Sequence, residues 1–166
     1  LQNIILSRNF KLNEFIVSKD YSELLPEIWE NLTPALIIKC FYLANYILQP
    51  TRNFLQIPII ILSGIRSPEL NFKIKGEKDS LHLFRDFDAV VDWTCRPDKI
   101  WSAFHFINTK LANVYGELII YLTEEKKPSF IHSSLINPRN KGQALVKAEG
   151  KFWDFDAYYQ KGFPVR

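Results

Sequence analysis

Phe87-Asp88-Ala89-Val90-Val91-Asp92-Trp93 is the stretch whose reading decides the fold. Phe87, Ala89, Val91 and Trp93 fall on one side of an extended chain and Asp88, Val90 and Asp92 on the other, the period-two pattern of a strand with one face on a core. Upstream, Ile59 to Leu62 reads as a buried strand running into Ser63-Gly64. Downstream, Glu117 to Leu122 and Ser129 to Ile136 read as two strands joined by the turn Thr123-Glu124-Glu125-Lys126-Lys127-Pro128. The expected sheet uses residues 57–65, 86–93, 117–122 and 129–136.

Two helices flank these strands. Thr33-Pro34 is a start signal, a capping hydroxyl followed by proline at the first helical position. The apolar residues behind it (Leu36, Ile37, Cys40, Phe41, Ala44, Ile47 and Leu48) keep helical spacing as far as Pro50, which should end or kink the helix, with Arg52 to Leu55 as its continuation. A second helix begins near Pro97, with Ile100, Trp101, Phe104, Ile107, Leu111 and Val114 on one stripe. Only one helical crossover separates the strands. The order therefore predicts an α+β fold: a small, mainly antiparallel sheet with helices packed on one face. The tail from about residue 137 reads as irregular, with Phe152, Trp153, Phe155, Tyr158 and Tyr159 packed back onto the body of a single 1–166 domain.

Composition narrows the functional classes. With 166 residues, 47% hydrophobic and 14% aromatic, the chain can bury a real core. A net charge of +3 without any Lys/Arg block or basic-aromatic stripe argues against nucleic acid as a partner. No run reaches the ~18 apolar residues of a membrane span, and the N-terminus lacks signal-peptide organisation. The two cysteines, Cys40 and Cys95, are too few for a disulfide framework and read as unpaired thiols.

The chemistry-bearing residues cluster around the deciding strand. Of three histidines, His82 lies six positions before Asp88, and His132 sits in the last predicted strand. Two imidazoles and one carboxylate form an open zinc site, with the fourth position left for water. His105, on the second helix beside Trp101 and Phe104, reads as structural. Asp86 and Asp92 read as solvated, with Asp86 a substitute ligand should Asp88 point away.

Several blocks also resemble a known family. Phe10-Lys11-Leu12-Asn13-Glu14-Phe15, Ile47-Leu48-Gln49-Pro50-Thr51-Arg52, Ser63-Gly64-Ile65-Arg66-Ser67 with Asn71 and Gly76, Ser80-Leu81-His82-Leu83 through Asp88, and Phe130-Ile131-His132-Ser133-Ser134 with Asn137 and Arg139 occur in this order. Together they resemble the zinc D-Ala-D-Ala carboxypeptidase-like peptidases of peptidoglycan, above all the small members of phages and their hosts. That family is related to the vancomycin-resistance D,D-dipeptidases and shares the fold of the Hedgehog signalling domain. The resemblance implies zinc held by His82, Asp88 and His132, with Arg66 on a substrate carboxylate or on charge developing at the scissile carbonyl. It implies Ser80 as a hydrogen-bonding group beside the metal or substrate, and peptidoglycan stem peptides, at the bacterial cell wall, as the partner. The chain departs from the family pattern in four places: Asp88 follows His82 by six residues instead of seven, Arg85 stands where glycine is usual, Asp86 stands where a small residue is usual, and Ile65 replaces a tyrosine. The base is expected to be a Glu shortly before His132, here Glu124 or Glu125, with Glu117 further back. The alternative is a non-catalytic structural or cell-wall-binding module, such as a virion component, that keeps the fold with a degraded metal site.

Overall fold

The computed structural model describes residues 3–138 and 140–160. Arg139 lies outside the described residues. The architecture is α+β, as the strand and helix order predicts. A short hairpin, β1 (Ile5–Ser7) with β2 (Phe10–Lys11), opens the chain. The main sheet contains β3 (Ile60–Ser63), β4 (Val90–Thr94), β5 (Tyr115–Leu122), β6 (Pro128–Leu135), β7 (Gln143–Ala148) and β8 (Lys151–Asp154), in the order β3-β4-β6-β5-β7-β8. Every neighbouring pair is antiparallel except β5 and β7.

One face of this sheet forms the core wall. Val91 and Trp93 of β4, Leu118 and Ile120 of β5, Ile131 and Ser133 of β6 and Val146 of β7 are buried there. Trp93 Nε1–H donates to Ser133 Oγ at 2.9 Å, so both polar atoms enter the core already satisfied. Helix α2 (Pro34–Leu43) packs on β6, and α5 (Ile100–Lys110) packs on β5 and β6. The Thr33 side chain caps α2 by accepting from Leu36 N–H. After α1 (Leu25–Glu30) and α2, the chain widens into a π-helical turn, Ala44–Leu48, and continues as α3 (Gln49–Leu55). Pro50 therefore does not end the helix: it stands in the first turn of α3, and the wide turn before it leaves room for its ring. Helix α4 (Pro68–Lys73) starts on a Ser67 cap. Cys40 and Cys95 are buried and unbridged. Among the described residues no single helix is long and apolar enough to cross a membrane.

Two expectations need correcting. The tail is not irregular. Gln143 to Ala148 adds a parallel strand to β5, and β8 pairs back through a turn at Glu149 (φ 52°) and Gly150 (φ 73°), both left-handed. Such a pair is the backbone of a primed hairpin turn. A last helix, α6 (Phe155–Gln160), then buries Phe155 and Tyr158. The second correction concerns Phe87, which is 70% exposed and faces no core. Strand β4 starts only at Val90, and Asp86 just before takes a left-handed φ of 43°, so the alternation does not extend back to residue 87.

Candidate metal centre

The uncovered face of the sheet carries the chemistry. In β4, Val90, Asp92 and Thr94 point away from the helices, and Asp92 stands directly opposite His132 of β6 in the antiparallel ladder. His132 in turn pairs with Ile119 of β5, which puts Glu117 and Tyr121 on the same face. Two bulges flank this row. In β3 the register slips between Ile61 and Ser63, leaving Ser63 opposite Asp92. In β5 it slips between Tyr115 and Leu118, and Glu117 N–H donates to Ser134 Oγ at 2.8 Å instead of joining the ladder. Bulges re-aim side chains, and here they bring Arg66 and Glu117 to either side of the Asp92–His132 pair.

His82 arrives from outside the sheet. It lies in a 3-10 turn, Leu81–Leu83, whose cap is Ser80; Ser80 Oγ accepts from His82 N–H at 3.3 Å. The turn is fastened to the end of β3 by two bonds, His82 Nδ1 to Gly64 O at 2.7 Å and Arg66 N–H to His82 O at 2.8 Å. Gly64 has to be glycine: a Cβ there would sit 2.4 Å from the Phe15 carbonyl oxygen.

His82, Asp92 and His132 form a group whose ligand atoms all lie within 4.8 Å of one another and that could hold a metal ion. His82 Nε2 is 3.1 Å from Asp92 Oδ2, and His132 Nδ1 is 2.7 Å from Asp92 Oδ1. The Gly64 carbonyl can only accept, so His82 Nδ1 carries the proton and Nε2 presents a lone pair. Burial lowers the His82 pKa against the pull of Asp92, which keeps the ring neutral. A neutral Nε2 facing a carboxylate oxygen at 3.1 Å is two acceptors in contact, an arrangement that a cation between them relieves. Buried His82 Nε2 and His132 Nε2 both lack a hydrogen-bond partner of proper geometry. Ligand atoms around tetrahedral zinc stand about 3.3 Å apart. The donor set and its spacing fit such an ion.

Electrostatics hold the carboxylate ready. Burial alone would raise the Asp92 pKa, but His82 and His132 overcome it and hold Asp92 well below the usual carboxylate range. His132 is pushed up to about 9: burial opposes this, and Asp92 and Glu117 outweigh it. Arg66 Nη2 donates to Asp92 Oδ2 at 3.0 Å and Nε to Ser63 Oγ at 2.9 Å. Glu117 Oε2 lies 3.3 Å from His132 Nε2. His82, Asp92, His132, Arg66 and Glu117 line a cleft of about 510 Å³, whose lining also includes Ser80, Tyr121, Phe130 and Phe152.

The structure thus brings together His82, His132, Arg66 and Ser80, and leaves out four other residues singled out in the sequence: Asp88, Asp86, Glu124 and Glu125. Asp88 is not in the metal group; Asp92 is. Asp88 sits in the turn before β4, where its N–H bonds Arg85 O at 2.7 Å; its carboxylate accepts from Asn137 Nδ2 at 3.4 Å and acts electrostatically on Lys39 of α2. The segment between His82 and β4 is spent on a turn with left-handed Phe84 and Asp86, so the carboxylate aligned with His132 comes ten positions after His82 (82 to 92). Asp86 is no substitute ligand. Glu124 and Glu125 are exposed in the β5–β6 turn, beyond the strand ends, and Glu125 pairs with Lys127 at 2.6 Å. The acidic residue beside His132 is Glu117. The missed signal was present: alternation through Trp93 already placed Asp92 on the free face. His105 packs against Phe155, with ring centroids 5.3 Å apart, in a structural role.

No family model, no curated protein and no solved structure matches this chain.

Proposed function

We propose that the protein is a zinc-dependent metallopeptidase that hydrolyses peptide bonds in peptidoglycan stem peptides. The observation that carries this reading is the convergence of His82, Asp92 and His132 at the floor of an open cleft, with a guanidinium on one side and a carboxylate on the other. The resemblance of the Ser63–Ser67, Ser80–His82 and Phe130–Ser134 blocks to the D-Ala-D-Ala carboxypeptidase-like peptidases supplies the substrate class. His82, Asp92 and His132 would hold a zinc ion, which would supply Lewis acidity to a peptide carbonyl and lower the pKa of water toward ~7.

The protein's own groups complete the chemistry. Glu117 takes the proton of the attacking water and delivers it to the leaving amine. Arg66 uses two of its N–H groups on Ser63 and Asp92; its remaining donors grip a substrate carboxylate or the oxygen that gains charge. Ser80 acts one step back, by fixing the turn that carries His82.

The test is release of D-alanine or a stem-peptide fragment from peptidoglycan-like peptides, abolished by chelation and restored by zinc. Glu117→Gln should cut turnover by on the order of 10²–10⁴-fold with zinc retained. Glu124→Gln and Glu125→Gln should leave it unchanged. Zinc-loaded protein inert on all such peptides would overturn the peptidase reading in favour of a binding module built on the same site.

A further inference from the structure

The proposed hydrolysis makes no use of the Tyr121 hydroxyl. Tyr121 lies on the cleft face of β5, one inward-pointing position beyond Ile119, the residue paired with His132. Its ring is pinned: Phe130 is its direct cross-strand partner, and the two rings stack at 4.3 Å with an interplanar angle of 12°. The hydroxyl lines the cleft with Arg66, Asp92 and Glu117 and lies within electrostatic range of all three. Arg66 is bonded to Ser63 and Asp92, and His132 to Asp92, whereas no protein group among the described residues bonds the Tyr121 hydroxyl. A rigid donor with no protein partner, at the mouth of a metal centre, is free for a ligand.

We propose that Tyr121 is a further catalytic residue, whose hydroxyl would donate a hydrogen bond to a ligand oxygen held at the metal centre. The assignment rests on the peptidase reading for the identity of that oxygen: the scissile carbonyl oxygen as it gains negative charge. The phenol remains protonated throughout. Burial, Asp92 and Glu117 push its pKa up to about 12, so it acts as a donor at neutral pH and transfers no proton. A donor fixed before the reaction costs no reorganisation when the charge develops, and its contribution is greatest in the transition state. Phe130 is then a positioning residue, acting only through the stack.

Tyr121→Phe keeps the ring and removes only the hydroxyl. Full-length protein loaded with zinc should retain its zinc content and thermal midpoint in this variant. Its affinity for acetohydroxamate, which ligates an accessible zinc through oxygen whatever the natural substrate, should fall about tenfold by calorimetry. Peptide turnover should fall on the order of 10²-fold in kcat with KM nearly unchanged. Unchanged hydroxamate affinity overturns the assignment, and so does loss of zinc from the variant, which would make Tyr121 a structural part of the metal site. If wild-type protein has no peptidase activity but hydroxamate binding still weakens in Tyr121→Phe, the peptidase reading fails while the Tyr121 donor stands. If turnover is robust and neither kcat nor hydroxamate affinity responds, the donor fails while the peptidase reading stands.

Discussion

Asp88 and Asp92 are the same residue type four positions apart, and their surroundings give them different work. Asp88 is buried near the helices and accepts from Asn137, whereas Asp92 is held by the His132 imidazole and the Arg66 guanidinium and faces the His82 Nε2 lone pair at 3.1 Å. Asp88→Asn should therefore destabilise the fold by about 1–3 kcal/mol in denaturant unfolding, while zinc affinity stays at the wild-type value. The two histidines give the apoprotein a defined pH signature. His82 has a folded pKa below its ordinary 6.5, so the unfolded chain binds the extra proton and stability falls as pH drops beneath 6.5. His132 has a folded pKa of about 9, so its contribution is complete below 6.5 and disappears as pH climbs from 6.5 to 9. The site's contribution to apoprotein stability should thus peak near pH 6.5. On the proposed zinc reading, binding has to displace the His132 proton, so zinc affinity should rise with pH, by up to about tenfold per unit, and level off above about 9. Thermal melts of chelated protein across this range, alongside zinc titrations, check both slopes; a flat zinc affinity would contradict the assignment of His132 as a ligand.

Among the elements, the end of β3 and the turn carrying His82 behave as one unit. The Gly64 carbonyl orients His82, the Arg66 amide holds the same residue's carbonyl, and Gly64 itself presses against the Phe15 backbone. Gly64→Ala must push those backbones apart. It should cost about 1–3 kcal/mol of stability and weaken zinc binding as well, through loss of the His82 tether; a variant with wild-type zinc affinity would show that the tether is dispensable. The elements differ in how far they were legible in the sequence. Helical spacing after Thr33 and Pro97 carried strong periodic signals and those helices formed where expected, whereas the alternation through Trp93 became a strand only from Val90 on. Strand β7 was missed because its alternation, Ala144, Val146 and Ala148 on the core side, uses small residues and is short. The Glu149-Gly150 turn was the available clue. The choice of acidic partner for His132 was not legible, because it depends on the β5–β6 register and on a bulge at Glu117. A bulge leaves no mark in residue pattern, and a one-residue slip reverses every face.

For the molecule as a whole, a six-stranded sheet puts helices on one side and leaves the other for a cleft whose floor is the cross-strand pair Asp92–His132. The members of that pair are 40 positions apart, and His82 joins them from a separate turn, so the candidate metal group exists only in the folded chain. Zinc should accordingly stabilise the native state, by about 2.7 kcal/mol at a free concentration a hundred times the dissociation constant. In the proposed metal centre the third protein ligand is Asp92, not Asp88. The most direct measurement is a calorimetric zinc titration of three chelator-stripped proteins: wild type, Asp88→Asn and Asp92→Asn. One zinc per chain with closely similar affinity in wild type and Asp88→Asn, and no tight site in Asp92→Asn, is the predicted result. Zinc binding lost in Asp88→Asn and kept in Asp92→Asn would contradict it.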